Sequence, residues 1–169
     1  MKTWIRRFSM AALAPFGLCN VHAQPQLGSV DSAIFQLGGA FAEESVTIAE
    51  DLCAQRVPAS RADWIETSRQ WREAHREKLT SLGQAIRSLE AVLEKSPAQG
   101  APLNLGQFVM FRAQGPQFIM YGLAGANDVK ADELCAKLRA NLLDRSQQDR
   151  LLDQAQLAVS AALTAVSKN

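Results

Sequence analysis

The sequence predicts an all-α protein: four long amphipathic helices in an antiparallel bundle, with two short apolar helices, or a small hairpin, inserted at 105–125. Three observations predict it. Apolar residues recur at spacings of three and four over four separate stretches, the period of a helix with one buried face. Outside 105–125 no run alternates apolar and polar residues for the length of a strand. The 105–125 stretch repeats one apolar phrase, GQFVMFRAQG followed directly by PQFIMYGLAG.

The chain opens outside the bundle. Lys2, Arg6 and Arg7 precede a short apolar run, Phe8 to Cys19, and Val21-His22-Ala23 offers small residues at the cleavage positions. That is the layout of a secretory signal peptide cut after Ala23, and it predicts a periplasmic protein. The apolar run is too short to span a bilayer. The mature chain, 24–169, is the length of one domain with a real core. The leader removes three basic residues, so the mature chain keeps 15 Lys plus Arg against 17 Asp plus Glu, a net charge of −2. A mildly acidic chain lacks the concentrated basic face that nucleic acid requires. Cys53 and Cys135 remain, an even number in an oxidising compartment, and a Cys53–Cys135 disulfide is expected.

In the mature chain, Val30, Ile34, Leu37, Phe41, Ser45, Ile48 and Leu52 share one face of a first helix of about six turns. Gly38-Gly39 weakens it and suggests close approach of another backbone; Val57-Pro58 ends it. Ser60 and Asp63 resemble a capping box that starts a second helix running to about Lys95. Leu79, Leu82, Ile86, Leu89 and Leu93 alternate there as a and d of a heptad. The register carried back puts Ile65 and Arg72 at a, Ser68 and His75 at d, and Trp64 and Trp71 one place before a. Residues 96–104 read as a loop. After 125, Asp128 is the expected N-cap of a third helix striped with Ala131, Leu134, Cys135, Leu138 and Leu142. Ser146 and Asp149 open a last, alanine-rich helix through Leu151, Leu152, Ala155, Val159, Ala162 and Val166.

The doubled phrase argues against one straight helix. Ten residues at about 100° each fall about 80° short of three turns, so the two copies face different directions. Pro116 interrupts the hydrogen-bond ladder between them. Two short helices suit the punctuation: Gly115 closes the first in a left-handed cap, Pro116 opens the second and Gly125 closes it. A hairpin turning at Ala113–Pro116 is the alternative. On either reading the Phe and Met residues fill the core. Arg112 is the lone charge between Lys95 and Asp128 and requires a partner. It either pairs with a carboxylate of another helix or, with Tyr121, anchors an acidic ligand in an apolar pocket.

Catalytic signatures are scarce. His75 is the one mature histidine. Glu73-Ala74-His75 lacks the Glu-x-x-His spacing of a di-iron site, and no paired C-x-x-C offers a metal site. No G-x-S-x-G, P-loop or dinucleotide fingerprint occurs. Glu43, Glu44, Glu50 and Asp51 read as the solvated side of the first helix. No enzyme and no cofactor are expected. The expected function is protein binding, to another envelope or secreted protein, as an inhibitor, immunity, chaperone-like or secretion-accessory protein. Its surface would be the N-terminal half of the second helix: Trp64, Arg69, Trp71, Arg72, His75 and Arg76, the residue types of binding hot spots. The competing class is a small-ligand carrier with 105–125 as pocket wall, including a non-covalent haem held by His75 and Met110 or Met120. A membrane-interacting protein is a third reading, weakened by Arg112 and the glutamines within the apolar stretch.

Overall fold

A computed structural model describes residues 36–95 and 103–167. The expected leader, the positions of Val30 and Ile34, and most of the stretch 96–104 expected as a loop lie outside the described residues. The fold is an all-α bundle that has, among the described residues, six α-helices and no strand. They are α1 (Ala42–Arg56), α2 (Arg61–Ala74), α3 (Arg76–Leu93), α4 (Leu105–Ala124), α5 (Asp128–Leu143) and α6 (Arg145–Val166).

The first helix is not α-helical throughout. Gln36–Phe41 winds as a 3-10 helix before α1 begins. Gly38-Gly39, with the greatest backbone freedom to lose, weakens the α-helix there. This segment packs against α6 and α4. Gly39 faces Ala155, although a Cβ at that position would sit 3.8 Å away, an ordinary contact.

The expected helix from Ser60 to Lys95 is divided. Ser60 does not cap it; its hydroxyl donates to Val57 O at 2.9 Å. The break falls at His75, whose φ of −113° and ψ of 15° leave the helical region between α2 and α3. Trp71 O accepts there from both the backbone N–H (3.1 Å) and the ring Nδ1–H (2.8 Å) of His75. The predicted d line stays buried across the break: Ser68, His75, Leu82 and Leu89. The a line does not. Ile65 is 48 % exposed, and Trp64 and Trp71, one place earlier, are buried instead. Two tryptophans outweigh one isoleucine and one arginine in apolar area, so the buried face turns toward them.

The 105–125 insert is one helix, not two helices or a hairpin. α4 runs unbroken over 20 residues with Pro116 inside it. Gly115 is not in the left-handed region, and Gly125 at φ −86° is not either. The start is a capping box: Asn104 Oδ1 accepts from Gln107 N (2.9 Å) and Gln107 Oε1 from Asn104 N (3.0 Å). An internal proline costs about 3 kcal/mol or more. Burial of Phe108, Pro116, Ile119 and Leu123 on the inner face is of a size to offset it.

Asn127, not Asp128, caps α5, its Oδ1 accepting from Lys130 N at 3.0 Å. Asp144, not Ser146, caps α6 by accepting from Gln147 N at 3.0 Å. Backbone and Ser146 donors hold the Asp144 carboxyl below the usual aspartate range. α6 buries Leu152, Ala155, Ala158, Val159, Ala162 and Val166, while Leu151 is exposed. Its small side chains let α3 and Phe41 approach closely, and Phe41 meets Phe108 edge to face at 5.5 Å. A second cluster gathers Ala49, Trp64, Ile119, Leu123 and Ala131 around the Cys53–Cys135 disulfide, with Cα atoms 5.7 Å apart. It joins the end of α1 to α5.

Candidate interaction surfaces

Of the residues expected to face a partner, Trp64, Trp71 and His75 lie in the core. Trp71 Nε1–H donates to Gln148 Oε1 (3.0 Å), and Gln148 Nε2 donates to Asn141 O (3.0 Å), tying α2 to α6. His75 Nε2 is buried without a hydrogen-bond partner, 3.8 Å from Asp149 Oδ1. Lys78 holds that carboxylate at 3.0 Å and Asp153 at 2.7 Å. The Lys78 contact keeps the Asp149 carboxyl below its usual range.

The arginines stay outside and line a shallow groove of ≈ 890 Å³ between α1 and the α2–α3 pair. Arg69 is committed along its own helix, to Glu66 at 2.7 Å and Glu73 at 2.8 Å. The Arg69 bonds to Glu66, and then Gln70 donating at 2.7 Å, lower the Glu66 carboxyl to about 2. Arg72 crosses to α1, reaching Glu50 Oε2 at 3.2 Å and Thr47 Oγ1 at 3.0 Å. Arg76 has only a 3.9 Å contact with Glu73. Arg87, which sequence reasoning missed, has no ion pair among the described residues. Its signal was present: Arg76, Thr80, Gly83 and Arg87 follow spacings of four, three and four along one face of α3. Exposed Ile65 and half-buried Leu79 supply apolar floor.

Arg112 finds its partner in α1. Its Nη2 lies 2.7 Å from Glu44 Oε1 and its Nε donates to Glu44 Oε2 at 3.1 Å, a bidentate fork. Glu90 lies 3.8 Å away, and the Phe41 ring lies 5.9 Å beneath the guanidinium. These contacts, Glu44 first, raise the Arg112 pKa. Tyr121 does not join it. Nine residues at about 100° each place it across the helix, and it is 73 % exposed. Met110 and Met120 are also exposed while His75 is in the core, so the residues proposed to hold a haem are not brought together.

The core filling expected of the doubled phrase is divided between its copies. Phe108 and Ile119 go inward; Val109, Met110, Phe118 and Met120 go outward. α4 thus carries an uncharged apolar outer face. Among the described residues no helix is long and apolar enough to cross a membrane, and no group of three His, Cys, Asp or Glu is placed to hold a metal ion. Comparison of the chain with protein families, curated proteins and solved structures finds no match.

Proposed function

We propose that this is an exported helical protein that acts by binding another envelope or secreted protein, and that the groove between α1 and α2–α3 receives it. The observation that carries the reading is the set of uncommitted groups on its wall. Arg76 and Arg87 stand on one face of α3, spare in hydrogen-bond donors, over exposed Ile65. Guanidinium groups beside an apolar floor suit a protein segment that offers carboxylates and one apolar side chain. The lining holds four arginines against three glutamates, locally basic on an acidic mature chain, so the field favours an acidic partner.

A photo-crosslinking residue at Thr80, in the groove wall, tests this in the intact envelope. A discrete crosslinked product is expected, and Arg76→Glu with Arg87→Glu should abolish it while circular dichroism stays unchanged. A product of undiminished yield in the charge-reversed protein would refute the assignment of the groove.

A further inference from the structure

The outer face of α4 has no role in the groove and none in the core. Val109, Met110, Phe118, Met120 and Tyr121 are each 50 % exposed or more. No charged side chain lies among them. Arg112, the one charge in the helix, is turned to Glu44 on the far side. Gly106, Met110, Ala113, Gln117, Met120 and Ala124 follow spacings of four, three, four, three and four along this face. That is the a/d seam of a coiled coil, about 120° round the helix from the face already packed into the bundle.

We infer that this seam closes on the same seam of a second copy of the chain, as an antiparallel pair of α4 helices. The seam is self-complementary under a two-fold axis. With the axis beside Gly115, Met110 of one copy meets Met120 of the other, Ala113 meets Gln117, and Gly106 meets Ala124. Methionines fill two layers, related by the axis, and small residues let the helix ends approach. The glutamine layers set register, as a single polar seam position does in coiled coils, at a cost in stability. With no charge on either face, two copies bring no like charges together. A lipid surface fits less well, because interfacial helices carry Lys and Arg on the flank of the apolar face, and the one cation of α4 is spent on Glu44. Met110 and Met120 on the seam and Val109 and Tyr121 flanking it expose on the order of 500 Å² per copy, near the upper range for a monomer's largest apolar patch, while Phe118 lies about 120° round the helix and stays outside the contact. Two copies would bury about 1,000 Å² in all, the lower edge of a specific interface. An interface of this size is weak and reversible, so the pair forms as concentration rises.

Sedimentation of the mature chain from about 1 to about 500 µM tests this. The mass should rise from one chain to two, and Met110→Glu with Met120→Glu should hold it at one chain, with helicity unchanged and, at the lowest concentration where both proteins are single chains, the same melting temperature. Register is read separately. Mixed Met110→Cys and Met120→Cys proteins should form an intermolecular disulfide faster than either alone. A single chain at every concentration overturns the inference, and so does a dimer indifferent to the paired glutamates. Flotation with neutral and anionic phospholipid vesicles distinguishes the lipid alternative: wild-type protein that floats yet sediments as one chain also overturns it. None of these outcomes involves Arg76 or Arg87, so the groove stands or falls on its own test.

Discussion

Gly115→Ala distinguishes the continuous helix from every broken alternative. α4 presses on α1 at this point: a Cβ on Gly115 would collide with Ser45 Oγ, while Ser45 Cβ would be 3.6 Å away, an ordinary contact. The hydroxyl alone is the obstacle. It donates to Phe41 O at 3.2 Å, a bond worth about 1 kcal/mol net. Moving it away loses that bond, and crowding the contact costs about 1–3 kcal/mol. Against this, alanine gains about 1 kcal/mol over glycine inside a helix. Gly115→Ala alone should therefore destabilise by about 1–3 kcal/mol. Ser45→Ala, which trades a hydroxyl bond for helix propensity, should be nearly neutral. The double variant should recover and exceed the wild type by about 1 kcal/mol, a coupling of about 2–4 kcal/mol. Urea unfolding of the four proteins measures it. Had Gly115 been a left-handed cap, alanine would be penalised by its own backbone whatever stood at position 45. Additive effects, with coupling below about 0.5 kcal/mol, would refute the close approach.

Two further measurements probe the rest of the fold. The Cys53–Cys135 bridge closes a loop with a sequence separation of 82; chain entropy credits it with about 4.5 kcal/mol at most. Unreduced mature protein should show no free thiol, and replacing both cysteines with alanine should lower stability by up to about that amount in urea unfolding. Glu66, lowered in the fold from 4.5 to about 2 by Arg69 and Gln70, favours the folded state above its ordinary pKa. That contribution shrinks as pH falls below 4.5 and is gone below about 2. Melting curves of wild type and Glu66→Gln should accordingly converge as pH falls; parallel curves would count against the pairing.

Much of the bundle was legible because its signals are local. Leu82, Leu89 and Leu93 repeat at helical spacing and are buried, and the two cysteines that follow residue 23 have one way to pair. The failures arose where tertiary contacts decide. His75 breaks the second helix through a side-chain bond to Trp71 O that no periodicity encodes. Asp128 and Ser146 did not cap because Asn127 and Asp144, each one residue ahead of its helix, did, and Ser60 gave its hydroxyl to Val57 O instead. The doubled phrase misled for a sharper reason. Its ten-residue period does turn the two copies to different faces, as Phe108 inside and Phe118 outside show. The error was to require burial of both copies, and so to break the helix at Pro116. On the arginine face, spacing found Arg69, Arg72 and Arg76 but could not tell committed guanidiniums from spare ones. That depends on carboxylates placed by α1 and by the helix's own turns.

What most separates the two surfaces is how little the fold needs either. Polar residues at Val109, Met110, Met120 and Tyr121 would leave Phe108, Ile119 and Leu123 packed as they are, because opposite sides of one helix share no contacts. Lysine or glutamine at Arg76 and Arg87 would likewise leave the α3–α6 packing through Leu82 and Leu89 in place. Apolar area left in water costs solubility and favours association, and an unpaired arginine adds nothing to folding. Binding gives both features a role, and the two differ in kind. The α4 seam is uncharged and self-matching, so its association should hardly respond to salt. The groove is charged and has no mirror of itself on this chain, so its partner should dissociate as ionic strength rises and the Debye length contracts from about 10 Å at 0.1 M to about 3 Å at 1 M.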